Sequence, residues 1–156
     1  ALYDSIVAHS RLGLNVVADV GHHDAYSQPQ HILADCARRL RGLPVLFVGV
    51  RCSIDVIMQR RNVGQIGREG VYLTGTSTTP IPLTVRRWQS EVHQPGIYDL
   101  EVDTSNLTPI ECATIIRDRL RDRPMSNAFV QLARDADDME GSVEDAAVPS
   151  PNCSHC

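Results

Sequence analysis

Lysine is missing from this chain. All fifteen residues counted as Lys or Arg are arginine, so a phosphate-binding lysine cannot come from this chain. Long apolar runs are missing too. None approaches the roughly 20 residues that span a bilayer, and no stretch near the start joins basic residues to an apolar core and a small-residue cleavage site. A strong charge of one sign is also absent. The net charge of −4 gives no electrostatic ground for binding nucleic acid or an anionic membrane surface. Cysteines are few: Cys36, Cys52, Cys112, Cys153 and Cys156. Their spacing suggests no disulfide framework, and the first three lie in or beside apolar segments and read as buried thiols. A reducing cytoplasm is the expected setting.

What is present has the length of one domain, with 42% hydrophobic residues among 156. Leu2, Ile6, Val7 and Ser10 recur at helical spacing up to Gly13. Because Ala1 already lies in that pattern, the chain reads as a fragment or a processed product. LNVVADV at 14–20 is a short valine-rich run, as expected of a strand buried on both faces. A helical stripe follows at Ile32, Leu33, Cys36, Ala37 and Leu40. LPVLFVGV at 43–50 is the strongest strand pattern, and Ser53 can cap a helix carrying Ile54, Ile57 and Met58. Residues 62–82 mix glycine, threonine and proline with little periodicity and read as a mobile loop. A short helix with Trp88 is expected at 83–92 and a third strand at 97–102. Thr108 with Glu111 has the capping-box spacing, with Pro109 at the first helical position of a helix running to about Leu120.

Three apolar strands alternating with helices predict an α/β fold with a parallel sheet and right-handed crossovers. Residues 1–122 form the folded domain in this reading. Residues 123–156, rich in acids and then in proline and serine, form a tail expected to be disordered apart from a short helix near 127–134.

Ligands of parallel α/β sheets bind beyond the C-terminal strand ends. Asp19 sits near one such end, where a carboxylate can hold magnesium or simply bond the next loop. Arg60, Arg61 and Arg68 flank a segment with Gly64, Gly67 and Gly70. Arginine's planar fork suits phosphate oxygens, while a solvated helix end would also favour these cations. His22, His23 and Asp24 read as a polar loop rim, because adjacent residues seldom converge on one ion. The terminal Cys-Ser-His-Cys is crowded in the same way. His93 is either a solvated helix-end residue or part of a cleft.

LPVLFVGVRC (43–52) and IYDLEVDTSNLTPIECA (97–113) resemble the chloramphenicol phosphotransferase-like family, as does VH at 92–93 ahead of YD at 98–99. LNVVADV resembles the family's middle strand, with Ala18 where the first of two acids is usual. The resemblance spans roughly residues 1–120. It implies a P-loop kinase that transfers the γ-phosphoryl group of ATP, with Mg2+, to the hydroxyl of a small molecule. It places Arg60 on the lid-helix arginine and Arg68 near a second one. Asp103 and Thr104 fall on the turn beside the adenine, and Asp19 on the strand-end acid.

The same resemblance implies that the fold is incomplete as written. The family's first strand, its Gly-rich loop with Lys-Ser or Lys-Thr and the carboxylate proposed as base would all precede Ala1, and VGQIGREG (63–70) replaces the usual lid run. The runs at 14–20, 43–50 and 97–102 would be the third, fourth and fifth strands, and the first strand would lie between the third and fourth. Its loss leaves edges unpaired, so the chain reads as part of a larger kinase domain or as a degenerate relative, with a missing N-terminal segment or a homo-oligomer as the expected partner. The alternative function is a non-catalytic chain of the same fold that binds a ligand or partner, and a small metal-binding module is a third reading. The acceptor alcohol has no signature in the sequence.

Overall fold

A computed structural model describes residues 1–64, 70–122 and 127–145, with side chains to 138 in the last stretch. In chain order the elements are α1 (Leu2–Arg11), α2 (Ile32–Arg39), β1 (Val48–Arg51), α3 (Ile54–Val63), α4 (Leu83–Glu91), β2 (Leu100–Asp103), α5 (Pro109–Arg121) and α6 (Ala128–Asp145). This is the mixed α/β architecture expected, with a parallel sheet. β1 and β2 pair in parallel from Val48 opposite Leu100 to Arg51 opposite Asp103.

Local chemistry sets the helix starts. The Ser53 hydroxyl accepts from the Val56 amide at 3.5 Å and opens α3. At α5 the box is reciprocal: the Glu111 amide donates to Thr108 Oγ1 at 3.3 Å, and the Thr108 amide donates to Glu111 Oε2 at 2.7 Å. Each bond satisfies an amide that has no partner within its helix. Both starts follow the sequence spacing.

The ladder is shorter than the apolar runs that feed it. Just before β1 the Asp99 amide donates to the Phe47 carbonyl at 2.9 Å, and the Phe47 amide donates to the Asp99 carboxylate at 2.9 Å. A side chain here takes over one rung of the ladder. Leu43, Val45 and Phe47 turn instead onto the core, where Cys36, Ala37 and Leu40 of α2 meet Phe129, Leu132 and Ala133 of α6. The Phe47 ring stands edge-on to Phe129, with centroids 4.9 Å apart.

Two expectations fail. Residues 14–20 form no strand: the segment has no regular secondary structure, and Val17 is 98% exposed. An isolated strand leaves its own N–H and C=O groups unpaired and its apolar faces wet, so composition alone cannot make one. The short helix expected near 127–134 is present, and the second miss is how far it continues into the acidic stretch and how deeply it packs. Residues 128–145 are helical, and Ala128, Phe129, Leu132, Ala133 and Ala136 are buried, so the part of the expected disordered tail described here is helical, and its first half belongs to the core. The acids Asp135, Asp137 and Asp138 occupy the outer side, and Asp137 pairs with Arg38 at 3.1 Å and Arg41 at 2.7 Å. Residues 146–156, including Cys153 and Cys156, lie outside the described residues. Of the three described thiols, Cys36 and Cys112 are buried as expected, whereas Cys52 is only half-buried. Among the described residues no helix is long and apolar enough to cross a membrane.

Candidate active site at the C-terminal strand ends

Both strands run out at the same level, with Arg51 opposite Asp103. The turn after β2 is tied back across the strand pair. The Thr104 amide donates to the Arg51 carbonyl at 2.8 Å, and the Thr104 hydroxyl donates to the same oxygen at 3.1 Å. The Ser53 amide donates to Ser105 Oγ at 2.7 Å. These bonds lock the turn after β2 against the first residues of α3.

Asp103 organises that turn. It accepts from the Ser105 amide at 2.8 Å and from the Asn106 side-chain amide at 3.0 Å. The Ser105 amide and hydroxyl, and then Asn106, hold its carboxyl below the usual carboxylate range. Asp103 is therefore an ionised turn-former with its oxygens already engaged.

α3 brings Arg60 over the same turn. Its Nη2 donates to the Thr104 carbonyl at 2.5 Å, and Nη1 reaches Thr104 Oγ1 at 3.3 Å and Cys52 Sγ at 3.5 Å. Arg60, Asp103 and Thr104, three residues singled out by sequence, thus meet at one place. Arg51 stands beside them, bound to Glu101 through Nε at 2.7 Å and lying 5.4 Å over the Tyr98 ring. Tyr98 in turn shares a 2.8 Å hydrogen bond with His93 Nδ1. Burial, and next the Arg51 charge, lower the His93 pKa. His93, whose place the spacing left open, is thereby a half-buried cleft residue.

Two candidates are not brought into this cluster. Asp19 is exposed within the segment that forms no strand, and none of the contacts described here joins it to Arg60 or Thr104. Arg68 lies outside the described residues. In the His22–His23–Asp24 group the side chains are engaged separately. His22 is buried and its Nε2 meets the Tyr3 hydroxyl at 3.0 Å, and among the described residues no group of three or more potential ligands could hold an ion. For magnesium the fit is partial. One exposed carboxylate, Asp19, is the kind of single protein ligand that magnesium takes when phosphates and waters complete its shell.

The sequence places a turn at Asp103 to Asn106, but the roles of Cys52, Ser105 and Asn106 in building it were missed. The run Asp-Thr-Ser-Asn directly after a strand was the available signal, since these side chains bond nearby backbone in turns. Asp99, treated below, was missed as well.

A family model described as chloramphenicol phosphotransferase-like protein matches residues 1–121. The chain belongs to that family, a class of kinase-like phosphotransferases with the P-loop kinase type of fold. No curated protein and no solved structure matches the chain.

Proposed function

We propose that this chain is part of an ATP-dependent phosphotransferase whose acceptor is the hydroxyl of a small molecule. The observation that carries the reading is the bonding of Arg60 to Thr104, in the turn that Asp103 organises beyond the C-terminal strand ends, in a member of this family. Ligands of parallel α/β sheets bind at that end.

In the reaction the acceptor oxygen forms a bond to the γ-phosphorus while the bond from that phosphorus to the bridging oxygen breaks. ADP leaves, and the acceptor's proton passes to a base that is not assigned among these residues. Mg2+ would be held by Asp19 with phosphates and water, and supplies neutralising charge. The Arg60 fork, released from the Thr104 carbonyl, would reach the phosphoryl oxygens as negative charge spreads over them. Asp103 and Thr104 would position the adenine side. Arg68 would add a second cation from the lid.

In this reading the phosphate loop and its lysine would come from a segment outside this sequence. Supporting this is the bare state of residues 14–20, whose exposed valines lack the strand partner that would bury them. Either an upstream segment or a second copy would cover that edge.

The test is to join the chain to an upstream segment carrying a Gly-rich Lys-Ser or Lys-Thr loop and to assay phosphoryl transfer from ATP to a panel of alcohols. Acceptor-dependent ADP release, abolished in Arg60→Ala, is the expected result. ATP hydrolysis or transfer untouched by Arg60→Ala would remove the site as drawn, and no turnover with any acceptor would favour a ligand-binding chain without catalysis.

A further inference from the structure

Arg61 follows Arg60, and one residue along a helix turns the side chain by about 100°. It therefore leaves the Thr104 turn and lines a separate cleft of about 420 Å³ between α3, residues 71–73 and α4. We propose that this cleft is a binding site for a planar aromatic ring that carries an anionic group such as a carboxylate.

Trp88 supplies one wall. Its ring is held from behind: a Cβ added at Gly21 would sit 2.6 Å from Trp88 Cζ3, so only glycine lets the ring lie there. His23 meets it edge-on at 5.0 Å between centroids. The ring is nevertheless 53% exposed, so it is pinned on one side and open on another. A rigid aromatic surface of this kind stacks a flat ligand with little ordering cost.

Tyr72 and Arg61 line the same cleft. The Arg61 guanidinium carbon lies 5.3 Å from the Tyr72 ring centroid, and Nη1 donates to the Leu73 carbonyl at 3.4 Å. The cation is thereby held in the cleft instead of trailing into solvent. Among the described lining residues there is no carboxylate, so the local field favours an anion. The planar guanidinium matches a carboxylate geometrically. Gln89 and His93 add polar atoms at the rim.

The inference stands on the cleft and needs no phosphoryl transfer, so its failure and that of the kinase reading are separable. The chain has one tryptophan, and its indole N–H gives a single reporter peak in a nitrogen–proton correlation spectrum. The chain is titrated with 2-naphthoate, 2-naphthylmethanol and cyclohexanecarboxylate. Naphthoate, a molecule of roughly 13 non-hydrogen atoms, should shift the Trp88 peak saturably with a Kd of about 1 mM or tighter. The uncharged alcohol and the non-aromatic acid should each bind about tenfold more weakly. Arg61→Gln should erase the preference for the acid over the alcohol, Arg61→Lys should retain part of it, and Tyr72→Leu should weaken both naphthyl compounds alike. A non-saturating shift, equal binding of acid and alcohol to the unaltered chain, or a preference unchanged in Arg61→Gln would each overturn the proposal.

Discussion

Arg60 Nη2 and the Thr104 carbonyl oxygen are 2.5 Å apart, although the two residues are 44 positions apart in sequence. In the proposed reaction, this guanidinium bound to a backbone carbonyl would be a cation parked close to where phosphate charge develops. In the completed enzyme, Arg60→Ala should therefore lower kcat by about a hundredfold or more while leaving the Kd for ATP little changed, the signature of a contact made in the transition state. Arg61→Ala, facing the neighbouring cleft, should spare kcat by comparison. Steady-state kinetics with separate nucleotide-binding measurements decide the point, and equal, small effects would return both arginines to the role of a solvated helix end.

Nucleotide binding by the chain alone should be weak or absent. The sequence holds no lysine, and Arg60 alone, already bonded to Thr104, is a poor substitute for a loop of backbone amides closing on phosphates. Calorimetry of the chain with ATP and Mg2+ should show no micromolar binding. Micromolar affinity would mean that the arginines supply the phosphate contacts by themselves.

The capping residues were legible because their chemistry is local. Ser53, Thr108 and Glu111 act on amides three residues away, and the structure places them accordingly. Parallel pairing of 48–51 with 100–103 was legible from apolar strands alternating with helices. Residues 14–20 were not, since a strand exists only with a neighbour to bond, and the valines there report a preference that the described chain does not satisfy. The start of α6 was legible as a short helix near 127–134, but its continuation to Asp145 and its burial were hidden for the opposite reason. Its acids dominate the composition, yet Phe129, Leu132, Ala133 and Ala136 make a stripe at helical spacing, which sets its packing on α2. At the site, the arginine and the turn were legible as residue types, while the bond between them needed the fold.

Asp99 should prove important to stability because its carboxylate joins distant parts of the chain. One carboxylate oxygen accepts from the Phe47 amide at 2.9 Å, and the other accepts from the amides of Asn127 and Ala128 at 2.8 and 3.0 Å. It caps the start of α6 from a distant part of the chain and ties that helix to the entry of β1. An anion at a helix N-terminus also meets the positive end of the helix dipole. Asp99→Ala should cost about 1–3 kcal/mol, the scale for amides left without partners. Urea unfolding measures this, and α6 amides should lose hydrogen-exchange protection first. An unchanged midpoint would show that water replaces the carboxylate at no cost.

The seam between α1 and α2 should make stability depend on pH in both directions. On the acid side the group is His22, which is buried against Tyr3 and whose pKa burial lowers. Between its lowered pKa and the ordinary value near 6.5, the unfolded chain binds more protons than the folded one. Stability therefore rises with pH across that window and is lost as pH falls through it. His93 adds to this with the same sign. On the alkaline side burial pushes the Tyr3 hydroxyl up from 10.0 to about 12 and the Cys36 thiol up from 9.0 to about 12. Above pH 9 the folded chain holds protons that the unfolded chain releases, so stability should fall as pH rises. Thermal unfolding followed from about pH 5 to 10 should give a plateau between about 7 and 9 with a decline on each side. His22→Gln should flatten the acid arm, and Cys36→Ala should shallow the alkaline arm whatever each does to the plateau height. An acid arm that keeps its full slope in His22→Gln would place the titrating group elsewhere.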